Sequence, residues 1–98
     1  MLDKLTKDHF EKYLNSIFSI QFQPEINLDA ELIGVKGLGG DTDLERQPFS
    51  ITLRTDQKDQ YYSQATFVVK HPEMGDLTLF LSPLGPDKAG MLYEGVFS

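Results

Sequence analysis

The chain contains no cysteine. That excludes a disulfide framework, a thiolate zinc site, an iron–sulfur cluster and a cysteine nucleophile within it, and leaves packing as the source of stability. Long apolar runs are missing too. No stretch approaches the ~18 residues that span a bilayer, and the opening MLDKLTKDHF lacks the apolar segment of a secretory signal, so the chain reads as cytoplasmic with no membrane partner. Positive charge is scarce: nine Lys and Arg face fifteen Asp and Glu, for a formal net charge of -6. An acidic surface repels phosphate backbones, so no nucleic-acid partner is expected. Histidine is limited to His9 and His71, the whole field for imidazole general-base chemistry. No serine stands in a G-x-S-x-G context. With no catalytic motif to read, the expectation is that the protein is not an enzyme.

What is present suits one folded unit. Ninety-eight residues, 40% apolar and 24% charged, are enough for one core and too few for two, so residues 1–98 are read as a single domain. A short helix is expected from Thr6 to Asn15, where Phe10, Tyr13 and Leu14 fall at helical spacing with Ile17 beyond them, Thr6 can cap, and Asp8 suits the first turn. His9 falls in that helix, in a surface or capping role.

From Phe18 the period becomes two. Phe18, Ile20 and Phe22 alternate with polar residues until Pro24, then Ile26, Leu28, Ala30 and Leu32 do the same. The phase flips to Ile33 and Val35, which predicts a bulge between Leu32 and Gly34. Phe49, Ile51 and Leu53 are expected to be buried, and Ser50, Thr52 and Arg54 exposed. Ala65, Phe67 and Val69 form the next inward set, His71 to Asp76 a hairpin loop, Leu77 to Leu81 a returning strand, Pro83 to Gly90 a turn-rich connection, and Met91 to Phe97 a last strand. About six strands with one short N-terminal helix predict a mainly β fold, a small antiparallel barrel or sandwich, with the helix over an end or edge of the sheet.

Three features could carry chemistry. Asp41, Asp43 and Glu45 alternate in a glycine-containing loop, a donor type that hard cations accept. They are weak candidates, since an EF-hand's sixth-position glycine and distal glutamate are absent; a solvated acidic loop is the favoured reading and no metal or other cofactor is expected. Lys36 to Gly40 is glycine-rich but is followed by acids, so it suits a turn better than a phosphate. Tyr61 and Tyr62 stand in a polar stretch. Counting back from Ala65 puts Tyr61 on the core face and Tyr62 outside with Gln64 and Thr66, which makes Tyr62 and Gln64 the candidate protein-docking residues. The competing reading has Tyr62 covering a neighbouring strand.

Several segments carry a resemblance to a family. Leu5 to Phe10, Gln47 to Ile51, Val69 to Gly75, Leu79 to Asp87 and Tyr93 to Ser98 resemble the small bacterial proteins grouped as domain of unknown function 6916. The likeness spans nearly the whole chain, with Asp41 to Arg46 and Gln57 to Gln60 the undistinctive parts. It implies a family without an assigned activity and, from members that often neighbour phage-tail-collar-like genes, an accessory or structural role. The expected function is a non-enzymatic structural or protein-interaction module with a protein partner. The alternative is a small barrel that binds an apolar ligand, its aromatic residues lining an internal pocket of at least ~300 Å³.

Overall fold

Alternation of period two, repeated six times, closes on itself. The computed structural model describes residues 5–38 and 48–97. Helix α1 (Lys7–Glu11) is followed by strands β1 (Ile17–Gln23), β2 (Ile26–Gly37), β3 (Phe49–Arg54), β4 (Ala65–His71), β5 (Gly75–Pro86) and β6 (Met91–Phe97). All neighbours pair antiparallel, and the order β1-β2-β3-β6-β5-β4 makes a closed barrel. The mainly β expectation therefore holds, and of barrel and sandwich the chain adopts the barrel. Closure pairs the strand edges that an open sheet would leave as templates for aggregation.

Inward residues of all six strands fill the barrel. Phe18, Ile20, Leu32, Phe49, Ile51, Leu53, Val69, Leu81 and Tyr93 are at most 1% exposed. The bulge lies where the phase flip placed it. Leu32 faces Leu53 and Val35 faces Ile51, with the register shifting between Leu32 and Gly34, so the extra residue restores inward-facing side chains beyond it. Helix α1 packs on β2 and β3 and closes one end of the barrel. Phe10, fully buried, meets Phe49 and Phe97 at ring-centroid distances of 5.8 and 5.2 Å, and those two rings stack at 4.6 Å.

Three expectations need correction. The helix is shorter than Thr6 to Asn15: it ends at Glu11 and residues 12–15 are turns, with Asn15 left-handed at φ 72° and its N–H donating to Leu32 O at 2.7 Å. The helical stripe fails with it, because Ile17 already belongs to β1 and points outward at 51% exposure. Pro83 to Pro86 is strand, and the connection shrinks to residues 87–90. The register shift between Pro83 and Gly85, with Gly85 at φ 111°, is the kind of irregularity that admits prolines lacking a ladder donor. Finally, Ser50 is buried and Thr52 and Arg54 are half-buried rather than exposed. Ser50 lies between the bulkier Lys36 and Val96 on its neighbouring strands, which shade a small outward side chain. Arg54 leans across the surface to Glu31 and Asp87, at 3.3 and 3.1 Å.

Candidate functional site

Between β3 and β4 the chain has no strand, and residues 55–64 run as a strap held by polar anchors. Thr55 is buried and its N–H donates to Met91 O at 2.9 Å. Its hydroxyl oxygen accepts from Gln57 N–H at 3.2 Å. Lys58 Nζ donates to Ala89 O at 2.8 Å, tying the strap to the β5–β6 connection. The central anchor is Tyr93 on β6, whose ring is wholly buried. Its hydroxyl donates to Gln57 Oε1 at 2.7 Å and accepts from Tyr62 N–H at 3.0 Å. Burial pushes the Tyr93 phenol above its ordinary pKa, while the Tyr62 N–H, which favours a phenolate, pulls the other way.

These anchors reverse the expected orientation of the two tyrosines. Tyr62 is half-buried and packs against the core, its ring stacked on Phe22 at 4.5 Å and 12°. Tyr61 is 61% exposed. Parity counted back from Ala65 presumed a continuous strand, and the ladder begins only at Ala65, so alternation has no hold on residue 61 or 62. The reading in which Tyr62 covers a neighbouring strand is the one the geometry bears out. Gln64 is exposed, as expected.

Tyr61 instead lines a solvent-open groove of about 320 Å³ with Pro83, Leu84, Gly85, Pro86 and Met91. Leu84 is 52% exposed, so an aromatic and a branched aliphatic side chain are both available there. The irregular Pro83–Pro86 segment builds the groove wall. Close by in the chain, Asp87 organises the turn into β6. Ala89 N–H, donating to Oδ1 at 2.8 Å, does most to hold the Asp87 carboxyl below its usual pKa; desolvation opposes it, and Gly90 N–H and the Arg54 guanidinium add smaller lowering contributions.

The histidines divide as structural groups. His9 Nδ1 accepts from Thr6 N–H at 3.0 Å, the capping role expected of it. His71 is buried between the rings of Tyr13 and Phe18, 4.6 and 4.4 Å away. Its Nδ1 accepts from the N–H groups of Glu73 and Met74 at 3.1 and 3.2 Å, and Nε2 lies 3.2 Å from Ser16 Oγ. No sequence spacing announced this Ser–His pair, since the partners lie on distant elements. Its polarity is opposite to that of an activated nucleophile. Ser16 Oγ donates to Tyr13 O at 2.6 Å, so Nε2–H is the donor to the serine. Nδ1 faces backbone N–H groups where an orienting carboxylate would stand in a triad.

Asp41, Asp43 and Glu45 lie outside the described residues. Among the described residues no group of three or more histidines and carboxylates is placed to hold a metal ion, and no helix is long and apolar enough to cross a membrane. Every buried side-chain nitrogen and oxygen among them has a hydrogen-bond partner.

No curated protein and no solved structure matches the chain. A family does match, along residues 5–97, and that span contains the helix, all six strands, the strap and the groove. The chain belongs to the family described as domain of unknown function DUF6916.

Proposed function

We propose that this barrel is a non-enzymatic protein-interaction or structural module that docks through its outer surface, with Tyr61 as anchor. The observation that carries the reading is the groove of about 320 Å³ that presents Tyr61 and Leu84 to solvent. Tyrosine offers a large, rigid contact area at little rotamer cost, and anchors of this kind concentrate binding energy. A protein partner that inserts an apolar side chain between Tyr61 and Leu84 fits the groove's chemistry. The accessory or structural role that the resemblance implies, from family members neighbouring phage-tail-collar-like genes, is compatible with such docking. Two further features support the non-enzymatic reading: the Ser16–His71 pair has a structural polarity, and the described buried polar groups are already engaged with the protein itself. The interior speaks against an apolar ligand inside the barrel, because Phe18, Ile20, Leu53 and Tyr93 occupy the space such a ligand would need.

The test is a photo-crosslinking residue at position 61, expressed in the native host, followed by mass spectrometry and titration of the purified partner. Tyr61→Ala should weaken binding by ~1–3 kcal/mol and change folding stability by less than ~0.5 kcal/mol, the usual range for an exposed position. An affinity left unchanged by Tyr61→Ala and by Leu84→Ala would remove this groove as the docking surface.

A further inference from the structure

The seams of the barrel are unequal. β2 pairs with β3 from Glu31 and Arg54 to Gly37 and Phe49, and β4 pairs with β5 from Ala65 and Leu81 to His71 and Gly75. β1 and β4, the strands that close the barrel, pair only through Ser19 with Lys70, Ile20 with Val69, and Gln21 with Val68. Beyond this short ladder, side chains take over. Extending the same antiparallel register puts Phe18 opposite His71 and Phe22 opposite Phe67. Both pairs are in ring contact, with centroids 4.4 and 4.9 Å apart.

Each end carries a further fastening. At the first, Ser16 Oγ meets His71 Nε2 at 3.2 Å, while His71 Nδ1 holds the 72–74 turn through the Glu73 and Met74 N–H groups. At the second, the Tyr62 ring stacks on Phe22 and its N–H is held by the Tyr93 hydroxyl. A closed barrel can open only by parting one of its seams. The seam with the shortest ladder gives up the fewest backbone hydrogen bonds, and here the rest of its strength lies in side-chain clasps that single substitutions can reach.

We propose that the β1–β4 seam is the built-in opening of this barrel. β1 separates locally from β4, with the His71–Ser16 clasp and the Tyr62–Phe22 clasp controlling the motion, while β2, β3, β6 and β5 stay paired. The opened state exposes Ile20 and Val69 together with two sheet edges that the closed barrel conceals.

The absence of cysteine from the chain makes the test clean. Ser19 and Lys70 are directly opposite on the outer face, flanking the inward Ile20 and Val69. Opposed residues of an antiparallel pair stand ~4.5–5.5 Å apart at Cα, within disulfide range. Ser19→Cys with Lys70→Cys therefore gives a seam that can be locked by oxidation and released by reduction in one protein. Native-state hydrogen exchange by NMR reads the opening. In the reduced form, the seam-facing amides among residues 19–21 and 68–70 should exchange at least ~10-fold faster than the slowest amides of β3 and β6. Oxidation should close that gap, bringing the seam amides into the most protected class. Ser16→Ala should widen the gap in the reduced protein while leaving β3 and β6 in step with each other. The proposal is overturned if the reduced seam amides already exchange with β3 and β6, if the gap survives oxidation, if the disulfide does not form, or if Ser16→Ala leaves the gap unchanged.

Discussion

Tyr93→Phe tests whether one hydroxyl holds the strap. The substitution keeps a ring that is wholly buried, so it creates almost no cavity, and it deletes only the atom that bridges Gln57 Oε1 and Tyr62 N–H. The two partners lose unequally. Gln57 Oε1 retains Thr55 Oγ1 at 3.1 Å, whereas the Tyr62 N–H loses the acceptor it has at 3.0 Å. Orphaning a partly buried donor costs ~1–3 kcal/mol, and that sets the expected loss. For a domain of this length each kcal/mol moves the melting temperature by ~4–8 °C, so the effect is readable by thermal or urea unfolding with the slope of the urea transition unchanged. The Tyr62 amide should also lose protection against hydrogen exchange. A high-pH series adds an independent arm. Burial raises the native phenol's pKa above its ordinary value, so its contribution to stability is complete below about pH 10 and declines as pH rises through the native value. Tyr93→Phe should remove that part of the alkaline loss. A stability change under ~0.5 kcal/mol, with the Tyr62 amide still protected, would refute the claim that this hydroxyl pins the strap.

Three further outcomes follow from the same geometry. Leu53→Ala empties a fully buried site between its register partners Leu32 and Tyr93 on the adjacent strands and should cost ~2–5 kcal/mol by denaturant titration; an unchanged midpoint would contradict its place in the core. Gly90→Ala should destabilise by at least ~1–3 kcal/mol, because an added Cβ would collide with Thr55 O and the strap must shift; thermal unfolding at the wild-type melting temperature would show otherwise. Asp87→Asn should flatten acid sensitivity. The native carboxyl's pKa is lowered by Ala89 N–H first, then Gly90 N–H and Arg54, so its contribution is present above the ordinary carboxylate value and fades as pH falls through the lowered native one. A pH–stability curve identical in the two proteins would show that the carboxylate charge plays no part.

Legibility in the sequence tracks how local each cause is. Phe49, Ile51 and Leu53 alternate without interruption, and all three are buried; the phase flip after Leu32 marks a real bulge. Both depend only on neighbours along the chain. Closure is different. Barrel and sandwich differ here in whether β1 reaches β4, a contact made by Ser19 to Gln21 with Val68 to Lys70, and alternation within each segment is the same whether or not they meet. Proline and glycine misled for a related reason: Pro83 and Pro86 signal a turn on local grounds, yet a register shift beside a distant strand lets them stay in the sheet.

The two tyrosines show where sequence logic about a site stops. Period-two parity is a property of a strand, enforced by the pleat, and it lapses wherever the ladder ends. Tyr61 and Tyr62 precede the first paired residue of β4, so they are oriented by the strap's anchors, among them the bond from Tyr62 N–H to the Tyr93 hydroxyl. With that amide fixed, the Tyr62 ring settles on Phe22 and its neighbour is left outside at the groove. Under the docking proposal, which of the two tyrosines faces a partner thus depends on a buried hydroxyl more than thirty positions away. The docking reading and the strap anchor are consequently linked: Tyr93→Phe, by loosening Tyr62, should also disturb the presentation of Tyr61. If Tyr61 anchors a partner, binding should weaken in Tyr93→Phe even though Tyr93 itself is wholly buried. A partner whose affinity responds to Tyr61→Ala but not to Tyr93→Phe would show that Tyr61 finds its position without the strap.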